Sequence, residues 1–233
     1  MKKLILMIAA VMTVFGMSAQ SYRGFLELYG GIGMGDKHNF TAAGAEFRNF
    51  KPAYALGFST IHGAQLAPCF FVGVGASAYG MLYSVESSVE DYYKETAALG
   101  INIPAYLDLR WDLDVRKKVS PFVDVKVGYQ FAVNFNDCTL AEGTSYDSRE
   151  YTYFKVKNVK GFYFMPTIGI RIRTNSKTGF NIGVSYLPKT ECDLLVSTEG
   201  QYDYTTGIET PGKEVNLGKK KSGALMLNLG YDF

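Results

Sequence analysis

Apolar and polar side chains alternate with a period of two in eight segments, a pattern typical of β-strands with one apolar face. The clearest segment lies between Val119 and Phe131, where every odd-numbered position from 123 onward is apolar and Asp124 and Lys126 lie between them. The eight predicted strands are Tyr22–Gly33, Pro52–His62, Pro68–Tyr79, Ile101–Leu113, Val119–Phe131, Gly161–Arg173, Thr178–Leu187 and Ser222–Phe233.

The segments between these strands alternate between long and short, with lengths of 18, 5, 21, 5, 29, 4 and 34 residues. A barrel in an asymmetric outer membrane shows this order, because its periplasmic turns are short and its outer loops are long. Strands of 10 to 13 residues also suit a tilted crossing, which needs about 9–11 residues. The sequence therefore predicts an all-β fold, an eight-stranded antiparallel up-and-down transmembrane β-barrel with short periplasmic turns and long extracellular loops.

The alternation does not say which face points outward, since a soluble lipocalin-type barrel has its apolar face inside. The polar face is rich in glycine, which makes room inside a narrow barrel. The apolar face carries aromatic side chains near the strand ends, as interfacial girdles do. These are Tyr54, Trp111, Tyr129, Phe131, Phe180, Tyr186, Tyr231 and Phe233. We therefore expect the apolar face to meet lipid.

With this orientation, five acidic and four basic side chains point into the barrel. They are Glu27, Asp108, Arg110, Asp112, Asp124, Lys126, Arg171, Arg173 and Asp232. Buried charges must be paired or hydrated, so we predict a lumen charge network of Glu27, Asp108, Arg110, Asp124, Lys126 and Arg171. We favour a salt-bridged core over a gated polar path, because eight strands leave no open lumen.

Two prolines interrupt the predicted strands. Pro166 lies inside the sixth strand and Pro104 near the start of the fourth, and each lacks a ladder donor. We expect a bulge at Pro166. The sixth strand can also extend upstream through Tyr151–Val156, which would carry it beyond the bilayer.

The first residues resemble a secretory signal peptide. Lys2 and Lys3 precede an apolar stretch, and Ala19 provides a small residue for cleavage. We expect residues 1–19 to be the signal peptide and residues 20–233 to be the barrel domain. Of three cysteines, Cys138 and Cys192 could form a disulfide in an oxidising compartment, and unpaired thiols are the alternative.

Composition and motifs argue against several functions. The formal net charge of +2 does not favour nucleic acid as a partner, and no cysteine or histidine spacing indicates a metal or cofactor. A lipid-modifying enzyme would need a base such as His38 or His62 with catalytic partners in reach. Neither histidine has a sequence spacing that identifies such partners. Lys219, Lys220 and Lys221 are candidates for contact with lipid phosphates, and the Tyr-rich segments Tyr146–Phe154 and Tyr202–Tyr204 for contact with partners or glycans.

The C-terminal segment Leu227–Phe233, the strand order and the N-terminal segment together resemble the small OmpA/OmpX-like outer-membrane barrels. The resemblance extends to the Bacteroidota "outer membrane protein beta-barrel domain" families, which are also called porin-family or PorT-like. It implies that Tyr231 and Phe233 form the terminal signal that the barrel assembly machinery recognises.

We therefore expect a monomeric, non-catalytic protein in the outer membrane of a Gram-negative bacterium, in contact with membrane lipids and lipopolysaccharide. Its expected role is envelope structure, surface interaction of the long loops with an extracellular ligand or protein, or limited passage of small solutes. The alternatives are a lipid-modifying enzyme at the outer leaflet and a soluble exported barrel that binds an apolar ligand.

Overall fold

The computed structural model describes residues 21–42, 45–87, 98–133, 138–144, 148–157, 161–175, 178–210 and 213–233. Its strands are β1 Ser21–Gly35, β2 His38–Ala42, β3 Ala45–Ala67, β4 Phe70–Ser87, β5 Ala98–Asp112, β6 Val119–Val133, β7 Cys138–Thr144, β8 Ser148–Lys157, β9 Gly161–Arg173, β10 Gly179–Asp203, β11 Glu209–Thr210 and β12 Lys213–Asp232. In this part of the chain, no helix is long and apolar enough to cross a bilayer. The predicted signal peptide lies outside the described residues.

Eight strands form a closed antiparallel barrel in the order β1–β3–β4–β5–β6–β9–β10–β12, and β12 closes it by pairing with β1. A path perpendicular to the strands leaves β1 at Ser21 and returns to it about ten residues later, at Gly31. It passes through Gln65, Phe71, Arg110, Asp124, Thr167, Ser185 and Met226. With strands about 4.8 Å apart, this stagger implies a tilt of about 40° and a backbone radius of about 8 Å. Such an interior holds side chains and no open channel.

All eight predicted strands are present, and the sixth has the predicted bounds Gly161–Arg173. Several strands continue further than predicted, away from the short turns that join β3 to β4, β5 to β6 and β9 to β10. β10, for example, was expected to end at Leu187 and runs to Asp203. The alternation of β10 is interrupted at Pro188, where its register with β12 shifts between Leu187 and Thr190, and it resumes beyond that point with Cys192, Leu194 and Val196 at alternate positions.

The predicted 29-residue gap before the sixth strand contains the hairpin of β7 and β8. β10 pairs with β9 along its first part and with β8 further along. β8 therefore continues the barrel wall upstream of β9. This confirms the expected extension through Tyr151–Val156. We call β7, β8, β11 and the parts of β10 and β12 beyond Leu187 and Ser222 the raised sheet, because they stand above the barrel at its long-loop end.

The prediction of a bulge at Pro166 is wrong for the pairing with β6, where the register passes through the Val125–Pro166 pair without a shift. The proline instead stands where the ladder between β9 and β10 ends, directly after the Thr167–Ser185 pair. Because proline has no backbone N–H, it cannot continue a ladder on the side to which its nitrogen points.

The backbone register argues against a disulfide between Cys138 and Cys192. Cys138 lies opposite Phe154 of β8, and Phe154 lies opposite Val196 of β10, four residues beyond Cys192. The two cysteines are thus two strand spacings of about 4.8 Å apart sideways and further apart lengthwise, whereas bridged Cα atoms lie within about 7 Å. Cys69, in the turn between β3 and β4, is an exposed free thiol.

Candidate functional site: a sealed ionic lumen

The barrel is apolar outside and ionic inside. Leu107 and Leu227 are 48% and 52% exposed, whereas Asp124 and Lys126 are fully buried. Val123 is half-buried on the outer face. The predicted orientation of the two faces is therefore confirmed, and a soluble barrel with an apolar interior is not what this chain forms.

The outer face has three levels, ordered along the barrel axis. A lower aromatic belt at the short-turn end consists of Tyr22, Phe70, Trp111, Phe180, Tyr231 and Phe233. An upper aromatic belt at the long-loop end consists of Tyr54, Phe58, Tyr129, Phe131, Phe162, Phe164 and Tyr186. Between them lies an aliphatic belt that includes Leu26, Leu28, Val74, Leu107, Ile168, Ile182, Val184, Leu227 and Leu229. At an axial rise of about 2.5 Å per tilted residue, the three belts span about 25 Å.

Five charged side chains meet inside the barrel at the height of the aliphatic belt, and we call them the central network. Glu27 comes from β1, Asp108 and Arg110 from β5, and Asp124 and Lys126 from β6. The β5–β6 register places Asp108 opposite Lys126 and Arg110 opposite Asp124. Opposite charges on neighbouring strands are thus brought together by the alternation that the sequence shows.

The contacts of the central network are short and shared. Arg110 Nη2 donates to Glu27 Oε1 at 2.5 Å and to Asp124 Oδ2 at 3.2 Å. Lys126 Nζ donates to Asp124 Oδ2 and lies 3.1 Å from Glu27 Oε2 and 3.9 Å from Asp108 Oδ2. Each cation therefore forms ion pairs with at least two carboxylates, and all five side chains are buried.

The rings of Phe25 and Phe122 hold the Arg110 guanidinium from below. Its Cζ atom lies 4.0 Å from the Phe25 ring centre and 4.8 Å from that of Phe122. Arg23 approaches the Phe25 ring at 4.8 Å from the short-turn side. These cation–π contacts stabilise desolvated cations, and the rings separate the central network from a second set of charges.

This second set, the end network, lies at the short-turn end and consists of Arg23, Asp112, Arg171, Arg173 and Asp232. Arg23 Nη2 lies 2.8 Å from Asp232 Oδ2, and Arg171 pairs with the same carboxylate. Arg171 Nη1 also lies 3.1 Å from Asp112 Oδ2. All six charges predicted for the lumen network point inward, and they fall into two sets because Arg171 lies in the end network.

Sequence reasoning missed Arg23, although the signal was present. Counting back by two from Glu27 reaches Phe25 and then Arg23, both on the inner face. With Arg23 included, the inward charges of the described residues number five acids and five bases. The interior is thus neutral as a whole, with three acids and two bases in the central network and the reverse in the end network.

Aromatic side chains fill the lumen above the central network, which the sequence did not predict. Tyr79 donates to Gln130 Oε1 at 2.7 Å, and Ser77 donates to the Tyr106 hydroxyl at 3.0 Å. Higher still, Phe50 stacks on Tyr83 with ring centres 5.3 Å apart. The inner-face glycines do make room, as expected, and what they accommodate is mostly rings.

Gly57 shows this close approach. A Cβ atom there would lie 2.5 Å from the Tyr29 ring and 2.6 Å from Tyr79 Cβ. The lumen is therefore packed along its height by alternating layers of ion pairs and rings.

The predicted terminal signal lies on the outer wall. Phe233 exchanges both backbone hydrogen bonds with Gly24, at 2.8 and 3.0 Å. Tyr231 lies on the outer face beside Phe180, with ring centres 5.4 Å apart. Recognition of Tyr231 and Phe233 by the assembly machinery stays a prediction.

The lysine run lies on β12 near the upper aromatic belt. The β10–β12 register places Lys221 opposite Glu191 and Lys219 opposite Asp193. Opposite charges across a strand pair attract each other, so this register offers the lysines acidic partners as well as lipid phosphates. The Lys220 side chain lies outside what the structure describes, and contact of the three lysines with phosphate stays a prediction.

The candidate histidine bases are not assembled into a site by the described residues. His62 lies on the outer wall, where Nδ1 is 2.6 Å from the Tyr22 hydroxyl and Nε2 is 2.9 Å from Thr60 Oγ1. The His38 side chain is outside the described part, and Asp36 lies 3.2 Å from Lys189. Among described residues, no group of three or more His, Cys, Asp or Glu could hold a metal ion.

Fold and interior together define the class: an eight-stranded antiparallel β-barrel with an apolar exterior and a neutral, ion-paired interior. No protein-family model and no curated protein matches the chain. Among solved structures, it is similar to the outer membrane protein OprG from Pseudomonas aeruginosa, with 15% identity, a TM-score of 0.47 and coverage of 90% of this chain and 96% of that one.

It is also similar to the outer membrane protein AlkL, with 15% identity, a TM-score of 0.44 and coverage of 90% and 89%. The translocator domain of the autotransporter NalP from Neisseria meningitidis matches at 8% identity and a TM-score of 0.33, covering 100% of this chain and 95% of that one. These similarities are too weak to assign the chain to a family or to transfer a function.

Proposed function

We propose that the protein is an integral outer-membrane barrel without catalytic activity, in which a sealed barrel anchors the raised sheet at the cell surface. The observation that carries this proposal is the polarity of the wall, with apolar side chains outside and paired charges inside. In water this arrangement would expose a continuous apolar surface, which soluble proteins rarely do. In a bilayer the same surface is stabilised, and about 25 Å is the height of such an apolar band.

The direction of insertion follows from the lengths of the connections. The short turns lie at one end together with Ser21 and Phe233, and the raised sheet lies at the other. Short turns are periplasmic in outer-membrane barrels, so the raised sheet faces outward. Surface interaction is thus the role that the geometry supports best, since loops and their extensions carry function on a rigid scaffold.

Passage of solutes through the lumen is the weaker candidate. Two ion-paired networks and the aromatic layers above them occupy the lumen, and each pair would have to open for a solute to pass. We expect purified protein in planar bilayers to show no conductance above the background of empty bilayers. Reproducible single-channel steps would refute the sealed lumen, although not membrane insertion.

Membrane insertion has its own test. We expect the protein to remain monodisperse only in detergent or lipid, and to aggregate when detergent is removed. A protein that stays monomeric in plain buffer would contradict the proposal. For the enzyme alternative, the deletion strain and a His38→Ala strain should both retain the wild-type lipid A and phospholipid profile, and a changed profile would support catalysis.

A further inference from the structure

The turn between β5 and β6 carries an unusual concentration of positive charge, and we call residues 114–118 the basic turn. Arg116, Lys117 and Lys118 are all exposed, and Asp114 is the acid among them. Lys117 Nζ lies 2.9 Å from Asp114 Oδ2. This pair and the backbone N–H of Arg116 hold the pKa of Asp114 below its usual range. The turn therefore keeps a net charge of about +2 at neutral pH.

The backbone of the basic turn is held in place at both ends. Leu113 N donates to the Pro121 carbonyl at 2.8 Å, and Arg173 N donates to the Lys118 carbonyl at 2.8 Å. The Arg173 guanidinium donates to the carbonyls of Val115 and Lys117. A partner of the basic side chains would thus meet a preorganised turn and would not have to order a loose one.

The basic turn starts where the apolar wall ends. Leu113 and Val119 flank it on the outer face and are 66% and 47% exposed, and Trp111 of the lower aromatic belt precedes them. The polar headgroup layer adds about 5–8 Å on each side of the hydrocarbon core. A turn of five residues spans this layer and extends little further. Its side chains can therefore contact lipid headgroups more readily than they can contact a periplasmic polymer that lies further away.

We propose that the basic turn binds the headgroup phosphate of an anionic phospholipid in the periplasmic leaflet, with the lipid's acyl chains along Trp111 and Leu113. This proposal rests on the proposed membrane insertion. Arginine and lysine suit phosphate because both donate several hydrogen bonds from a charged group. Of the other two short turns, Pro68 and Cys69 offer no charge and residues 174–178 contain the single basic residue Lys177, so the basic turn is the more positive position on the rim.

The single tryptophan of the chain, Trp111, reports on this position directly. The protein would be placed in phosphatidylcholine bilayers that contain a minor fraction of phosphatidylglycerol, with bromine on the acyl chains of one lipid or the other. We expect brominated phosphatidylglycerol to quench Trp111 more strongly than an equal mole fraction of brominated phosphatidylcholine. The relative binding constant should fall about fivefold for each basic charge removed.

The variant R116Q/K117Q/K118Q should therefore lose the preference, and raised salt should weaken it in the wild type. R48Q/K189Q, which changes two exposed basic residues at the other end of the barrel, is the matched control and should keep it. Equal quenching by both lipids in the wild type would overturn the proposal, as would a preference that survives in the triple variant. Absence of quenching by any brominated lipid would overturn membrane insertion as well, which separates the two failures.

Discussion

Replacing Arg110 by methionine tests whether the central network stabilises the barrel. Methionine keeps an unbranched apolar stem of similar length and removes the guanidinium. Glu27 and Asp124 then share Lys126 as their remaining charged partner in the network. The network would change from three acids and two bases to three acids and one base.

The expected loss of stability follows from the contacts of Arg110. Removing one partner of a buried ion pair costs about 3–5 kcal/mol, because the other charge is left uncompensated. The contacts with the Phe25 and Phe122 rings add about 1–2 kcal/mol. We therefore expect Arg110→Met to lower the free energy of unfolding by about 4–7 kcal/mol, as a sum of these estimates.

Urea unfolding in lipid vesicles, followed by the fluorescence of Trp111, measures this loss. Arg48→Met is the matched control, because Arg48 pairs with Glu46 on the exposed surface and such pairs contribute about 0–1 kcal/mol. The double variant Arg110→Met with Glu27→Gln restores the charge balance of the network. It should be about 1–3 kcal/mol more stable than the sum of the two single changes predicts.

Two results would refute this reasoning. Equal losses for Arg110→Met and Arg48→Met would show that the central network contributes no more than a surface pair. Additive losses in the double variant would show that Arg110 and Glu27 are not energetically coupled, although their side chains are in contact.

Other predictions test the wall and its packing. Leu107→Arg, in the aliphatic belt, should cost about 2–4 kcal/mol in vesicles, and Leu113→Arg at the rim about 0–1 kcal/mol. Equal costs at both depths would contradict a lipid-facing wall. Gly57→Ala should cost about 1–3 kcal/mol because its Cβ would clash with the Tyr29 ring. Gly100→Ala, whose Cβ would lie 3.6 Å from the nearest ring, should cost less by the same urea titration, and a reversed order would argue against rings filling the lumen.

The sequence predicted the strands of the barrel well because each strand must meet the same physical requirement, an apolar outer face and a different inner face. A strand with different surroundings on its two faces must alternate, and residues 123–131 show this without interruption. The same alternation placed Asp108, Arg110, Asp124 and Lys126 on the inner face. Where the pattern is interrupted, as at the register shift after Leu187 of β10, the predicted strand stops too early, and the segment of β7 was read as loop.

The sequence by itself thus determined which side chains of each barrel strand face inward and which face outward. This depends only on residues that are neighbours along the chain. Only the tertiary structure decided the partners. The stagger of about ten residues around the barrel sets which inward side chains share a height. That stagger joins Glu27 of the first strand to Arg110 and Lys126, and it brings Arg171 to Asp232 and Arg23 at the short-turn end. A shift of two residues in one register would preserve every alternation and exchange these partners, because the faces repeat with a period of two while the ion pairs require one particular alignment.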